Sequence, residues 1–318
     1  MVSCVSWLIP PNLHSIEHRF PSNTHSVECI HAPEGLMSST EPADAHTVRA
    51  YLTELLDEDP IARDRVSHGM AAIVAAARSG RAFTTSRLEV PTFRLTEDAH
   101  LPDLVCVGGI LPIAVHIAYA RLAGALRGSH RVLAVGLPGF RAGENLPADT
   151  TALARAMAIA VEKCCDDEPL ALLGFSSGGW VAHALTAGLS SIGVRVRALI
   201  LLDTPPQGVV ASMALSPVLR GMLAAGPEFV ATDDSALTAM GWYFELFQHR
   251  WSPGALSVPV RYIRAGSDLP GNPNRRWSEH WTSRATAVPG DHLTILTEHV
   301  DTTAGEIREL LTEFPASS

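Results

Sequence analysis

Leu170-Ala-Leu-Leu-Gly174-Phe-Ser176-Ser-Gly178-Gly-Trp180-Val-Ala-His-Ala-Leu185 is the stretch whose reading decides the fold. It opens on a short apolar run closed by glycine, the pattern of a strand buried on both faces. From Trp180 onward it reads as a helix. Between the two lies Gly174-Phe-Ser176-Ser-Gly178, a sharp strand-to-helix turn with one serine at its apex. Glycine is expected on either flank because a side chain there would strike the neighbouring strand or helix.

Outward from this turn the same alternation recurs. Apolar runs at Leu104–Val107, Val132–Val135, Leu199–Leu202 and Val258–Ile263 join Leu170–Leu173 as expected parallel strands, and helical patterns separate most of them. Repeated βα units predict an α/β fold built on a mostly parallel, doubly wound sheet. The rhythm breaks over about 207–256, where a helical insertion carries Met213, Leu219, Trp242, Tyr243, Phe244 and Phe247. Lying between two strands, it must project from the sheet, and it is expected as a lid.

Upstream, Val48, Tyr51, Leu52, Leu55 and Leu56 keep helical spacing, and a second helical run covers about 61–78. Residues 45–80 are therefore expected as N-terminal helices and a candidate dimer element, ahead of a main domain over 81–318. Residues 1–44 are rich in Pro, Ser, Asn and His without periodicity, as expected of a disordered or non-native extension, with Met37 opening a more ordinary segment.

Composition narrows the class. With 318 residues, 47% of them hydrophobic, the chain can bury a large core. Lys and Arg number 24 against 33 Asp and Glu, and the net charge of −9 repels phosphate backbones and anionic lipid, arguing against nucleic acid and membrane as partners. No apolar run approaches the ~20 residues that span a bilayer. Val5–Pro10 lacks the basic flank of a signal peptide, so a cytoplasmic location is expected. Cys4, Cys29, Cys106, Cys164 and Cys165 follow neither a disulfide framework nor metal spacing and read as reduced thiols. The 14 histidines are scattered, so no metal is expected. Val107-Gly-Gly lacks a dinucleotide or phosphate-loop pattern, so no bound cofactor is expected either.

A serine hydroxyl is a weak nucleophile until a base takes its proton, and in this strand-turn-helix context acid and histidine follow the serine in that order. His292, in Val288-Pro-Gly-Asp-His292-Leu-Thr, comes after the last apolar strand in a loop that can swing it over the sheet's carboxyl edge. His183 lies inside the helix after the turn and His299 in a charged C-terminal helix, both less well placed. For the acid, Asp203 ends Leu199-Ile-Leu-Leu-Asp203-Thr-Pro-Pro and Asp268 ends Ala265-Gly-Ser-Asp268. Each sits where catalytic groups gather in open sheets, and position does not choose between them. Ser177 is expected to give its backbone N–H to an oxyanion hole, with no part for its side chain.

The turn, Leu-Asp203-Thr-Pro-Pro-Gln-Gly, Val-Pro-Gly-Asp-His292, Arg121-Leu-Ala-Gly-Ala-Leu-Arg-Gly128 and Gly136-Leu-Pro-Gly-Phe-Arg-Ala-Gly-Glu-Asn-Leu-Pro147 together resemble the thioesterase domains that terminate modular (type I) polyketide synthases. The likeness runs from about Leu104 to Leu311. It implies the α/β-hydrolase fold and Asp203 as the acid. It also implies a second oxyanion N–H from Ile110 or Leu111, with Ile110 preferred. A helical lid would cover a channel faced by Phe175, Leu111, Trp242 and Tyr243, and paired N-terminal helices would form a homodimer. The implied activity is release of a polyketide acyl chain from the phosphopantetheine of an acyl carrier protein, through an ester on Ser176, by hydrolysis or macrolactonisation. An editing (type II) thioesterase or a carboxylesterase would share the triad, and a non-catalytic binding protein only the fold.

The chain departs from the family where Phe175 replaces the usual His and Ser177 the usual Ala, and its Gly109-Ile110-Leu111 loop is bulkier. Opening on Met, and carrying no carrier or ketosynthase module, it reads as a free-standing relative or an excised terminal domain.

Overall fold

All five apolar runs become strands of one sheet, and the reason is visible in their alternate residues. Val105, Leu133, Leu172, Leu199 and Leu201 point to one face, and Leu104, Cys106, Ala171, Leu173, Ile200 and Leu202 to the other, every one of them buried. A strand that is apolar on both sides is stable only where helices cover both faces.

The computed structural model describes residues 83–97, 99–166, 168–207, 233–268, 276–282 and 284–314, with the backbone alone at 99–102. The extension and helix pair expected over 1–80 lie outside the described residues, as do 208–232 of the expected lid. In chain order the elements are β1 (Phe83–Thr84), β2 (Thr92–Arg94), β3 (Ala99–Val107), α1 (Val115–Ala125), β4 (Gly128–Val135), β5 (Leu146–Pro147), α2 (Thr150–Glu162), β6 (Leu170–Phe175), α3 (Gly178–Ser191), β7 (Val196–Leu202), α4 (Asp234–Glu245), β8 (Val260–Ala265), α5 (Trp277–Trp281), β9 (Ala285–Val288) and α6 (Val300–Thr312). Leu246–Arg250 continue α4 as a π-helical turn.

Among the described residues the main sheet has seven strands in the order β2-β4-β3-β6-β7-β8-β9. Only the β2–β4 pair is antiparallel. Helices α2, α3 and α4 pack on the face of Val105 and Leu172, whereas α1 and α6 pack on the face of Leu104 and Ile200. Burying each leucine contributes about 1.5–3 kcal/mol. Leu172→Ala, which also leaves a void, would cost about 2–5 kcal/mol.

From β3 the chain winds to β4 on one side and then returns to place β6 on the other. The carboxyl ends of β3 and β6 therefore border the crevice where open α/β sheets place their sites. The loop after β3 and the serine turn after β6 meet there.

Candidate active site

Ser176 follows the last residue of β6 with φ +54°, a left-handed conformation that a non-glycine residue adopts only when its surroundings hold it. What holds it is close packing and the Ser176 N–H donating to Leu202 O at 2.9 Å. A Cβ on Gly174 would stand 2.3 Å from the Gly178 carbonyl oxygen, and one on Gly178 2.6 Å from that of Val107. The collisions expected of the flanking glycines are thus with the helix backbone and with β3. At the start of α3 the Gly179 N–H donates to Ser176 O at 3.0 Å and the Trp180 N–H to Ser177 O at 3.2 Å, which winds the turn into the helix.

Asp203 leaves β7 in the same unusual way, at φ +44°, with no exposed surface. The segment after it is pinned. Thr204 O accepts from Tyr262 O–H at 2.8 Å and from Trp281 Nε1–H at 3.1 Å, and Pro205 O accepts from Trp180 Nε1–H at 2.8 Å. These bonds overdetermine a backbone that alone would relax.

His292 comes from the loop after β9. Asp291 shapes that loop by accepting the Leu293 and Thr294 N–H groups at 2.9 Å, while its own N–H donates to Thr294 Oγ1 at 2.8 Å. The imidazole is 8% exposed, stacked on Phe175 at 4.8 Å and met edge-on by Trp277 at 5.9 Å.

The structure brings these three residues into line. His292 Nε2 lies 3.0 Å from Ser176 Oγ, and Nδ1 lies 2.7 Å from Asp203 Oδ2. Asp203 Oδ1 accepts the Ala265 N–H at 3.0 Å. A carboxylate on Nδ1 keeps the ring proton there, which leaves the Nε2 lone pair for the serine proton. Of the two aspartates that position alone left open, Asp203 is the one that reaches the ring. Asp268 lies three residues beyond β8 and is partly exposed. His183 is walled in by Trp251 at 5.4 Å and Trp281 at 5.9 Å, and burial pushes its pKa down to about 4.

Two further residues matter that the sequence reading passed over. Tyr119, buried on α1, donates its hydroxyl to Val107 O at 2.8 Å and accepts the Phe175 N–H at 3.0 Å, tying the end of β3 to the residue before Ser176. Gln207 donates to the carbonyls of Phe247 at 2.6 Å and Trp251 at 2.5 Å, fastening the exit of β7 to the end of the insertion. Tyr119 resembled any aromatic of an amphipathic helix. Gln207 lay in a quoted motif without an assigned part.

The expected substrate contacts divide. Phe175 lies against the imidazole, and Leu111 is partly buried in the loop after β3. Trp242 and Tyr243 are 3% and 0% exposed and pack inward. Trp242 Nε1–H donates to Pro147 O at 2.7 Å and Tyr243 O–H to Pro138 O at 2.5 Å, so both anchor α4 to the body of the protein. The thiols of Cys106, Cys164 and Cys165 are free, and burial raises the pKa of Cys106 and Cys165 far above the ordinary value. No group of three or more His, Cys, Asp and Glu among the described residues is placed to hold a metal ion. No helix of the described residues is long and apolar enough to cross a membrane.

Known proteins agree with this architecture. The chain is 36% identical over 239 residues to the spectinabilin polyketide synthase system protein NorC of Streptomyces orinoci, an alignment covering 72% of this chain and 10% of that protein. It is 40% identical over 215 residues to the polyketide synthase GfsE of Streptomyces halstedii, covering 65% and 6% respectively. The chain thus spans about a tenth or less of the length of these relatives. Among solved structures, the type II thioesterase BorB from the borrelidin biosynthetic cluster shares the fold, with a TM-score of 0.53 and 24% identity over 71% of this chain and 99% of that one. The family model described as Thioesterase domain matches residues 102–311, from within β3 to the close of α6, and the chain belongs to that family.

Proposed function

We propose that the chain is a serine thioesterase that releases a polyketide acyl chain from the phosphopantetheine thiol of an acyl carrier protein. The observation that carries this reading is the line Ser176 Oγ, His292 Nε2, His292 Nδ1, Asp203 Oδ2, at 3.0 and 2.7 Å. The polyketide chain and its carrier are inferred from the kind of protein that NorC and GfsE are.

In the first half-reaction Ser176 Oγ attacks the thioester carbonyl and its proton passes to His292 Nε2. The carbonyl oxygen, now negative, meets the backbone N–H groups of Ser177 and Ile110. Donors aimed at the charge that develops supply much of the rate, one such donor being worth about 10²–10³ in turnover. Collapse breaks the C–S bond, and the thiol leaves with the proton from His292. In the second half-reaction water, or a hydroxyl of the acyl chain itself, gives its proton to His292 and attacks the Ser176 ester, and collapse breaks the bond to Oγ as His292 returns the proton to Ser176. Water yields a free acid and an internal hydroxyl a macrolactone.

The test is intact-protein mass spectrometry after mixing with a long-chain acyl thioester. An adduct on the wild type and none on Ser176→Ala is the expected result. Absence of both adduct and turnover across several chain lengths would refute the reading. The released product, free acid or lactone, identifies the second nucleophile.

A further inference from the structure

Ser177 was expected to offer only its backbone, yet its side chain has a definite place. It occupies the N-cap of α3, where a serine ordinarily accepts an N–H of the first helical turn. Asp149 does so for α2, and Asp233 for α4. Ser177 makes no such bond. Its hydroxyl instead turns out of the helix and accepts the Ile110 N–H at 3.2 Å, in a residue only 8% exposed.

The loop after β3 is built around that hydroxyl. A Cβ on Gly109 would stand 2.7 Å from Ser177 Oγ and 3.3 Å from the Gly178 nitrogen, so the loop lies as near as glycine permits. Having accepted one hydrogen bond, the hydroxyl keeps its own proton, and none of the hydrogen bonds among the described residues uses it. A buried donor without an acceptor costs free energy and calls for an explanation. Here it is bonded to one N–H assigned to the oxyanion and belongs to the residue that carries the other.

We propose that Ile110 acts on the oxyanion through the Ser177 hydroxyl, which accepts the Ile110 N–H and donates its own proton to the thioester oxygen as negative charge develops there, beside the Ser177 N–H. The proposal rests on Ser176 being the nucleophile. As Ser176 Oγ bonds to the carbonyl carbon and its proton moves to His292 Nε2, the π pair of the C=O bond settles on oxygen. An O–H···O⁻ bond forms, strengthened because the same hydroxyl is polarised by Ile110. When the C–S bond breaks, the pair returns to the carbonyl and the Ser177 proton stays where it began. Ser177 is thus a catalytic residue by side chain as well as by backbone.

Removing the hydroxyl frees the Ile110 N–H to donate directly, so the loss is smaller than that of a backbone donor, about tenfold. The experiment compares wild type, Ser177→Ala, Gly109→Ala and the double variant in single-turnover acylation by an acyl N-acetylcysteamine thioester. Alongside it runs inhibition by a long-chain trifluoromethyl ketone, whose hemiketal with Ser176 places an oxyanion in the same position. Ser177→Ala is expected to slow acylation and weaken the ketone by the same factor of about ten, with KM unchanged. The methyl of Gly109→Ala displaces the hydroxyl and costs a similar factor in the wild type but little on top of Ser177→Ala.

A Ser177→Ala protein as fast as or faster than wild type would make the hydroxyl a competitor for Ile110 and overturn the proposal alone. So would slower acylation with unchanged ketone affinity. A wild type that forms neither hemiketal nor acyl-enzyme overturns the nucleophile reading first, and the hydroxyl donor with it.

Discussion

Asp203→Asn keeps the shape of the acid and removes its charge, and the structure says what must follow. One carboxylate oxygen accepts the Ala265 N–H at 3.0 Å while the other holds His292 Nδ1 at 2.7 Å. An amide has a single acceptor oxygen for these two donors. If that oxygen stays on Ala265, the amide NH₂ faces Nδ1, which must then accept. The ring proton moves to Nε2 and points at Ser176, and the base is gone. If the amide flips, its NH₂ faces the Ala265 N–H in a buried donor–donor contact costing about 1–3 kcal/mol. The first arrangement is therefore preferred, and acylation is expected to fall about 10⁴-fold, as a wrong tautomer costs in serine proteases. That is about 5.4 kcal/mol of barrier. The assay is single-turnover acylation of Ser176 by an acyl thioester, with circular dichroism to check the fold. Asp268→Asn, at a partly exposed position, is expected to stay within about twofold of wild type. A folded Asp203→Asn protein within tenfold of wild type, or an equal loss in Asp268→Asn, would refute the argument.

Tyr119→Phe removes the hydroxyl between Val107 O and the Phe175 N–H and leaves that amide without a partner in a packed region. It should cost about 1–3 kcal/mol, lower Tm by about 2–4 °C for each kcal/mol, and slow acylation by loosening the turn. An unchanged melting curve would show that the bridge contributes nothing. Burial pushes His183 and His130 down to about 4, so the folded protein binds fewer protons at these rings than the unfolded chain. Their contribution to stability is complete above the unfolded value of about 6.5 and is lost as pH falls toward 4. Thermal melts between pH 5 and 7.5 should show Tm falling with pH, with a shallower slope in His183→Gln. A slope unaffected by that substitution would remove His183 from the explanation.

The central strands were legible because their composition is extreme: a run such as Leu170–Leu173 is apolar on both faces wherever it sits. β2 and β9 were not, because three and four residues of mixed exposure become strands only through the neighbour that they pair with. Ser176 and His292 could be named from turn chemistry and chain order. The choice between Asp203 and Asp268 could not, since both follow strand ends, and no local pattern announces the left-handed backbone at Asp203 or its contact with His292. The anchoring of Trp242 and Tyr243 was hidden for a similar reason. An aromatic in an insertion looks the same whether it faces a channel or the body, and their partners lie 95 and 105 residues away in the chain. The Ser177 hydroxyl escaped notice because its residue already had a backbone part to play.

The three aligned residues do not stand on equally firm ground. Ser176 and Asp203 follow β6 and β7, each flanked on both sides within the sheet, whereas His292 hangs from the loop after β9, a four-residue strand at the end of the strand order. Short border strands open at lower free energy than central ones. Warming such a protein would detach the imidazole while the rest of the sheet is still closed, so heat inactivation would precede global melting. Selection for heat tolerance would then act first on the β8–β9 border and leave the core almost untouched.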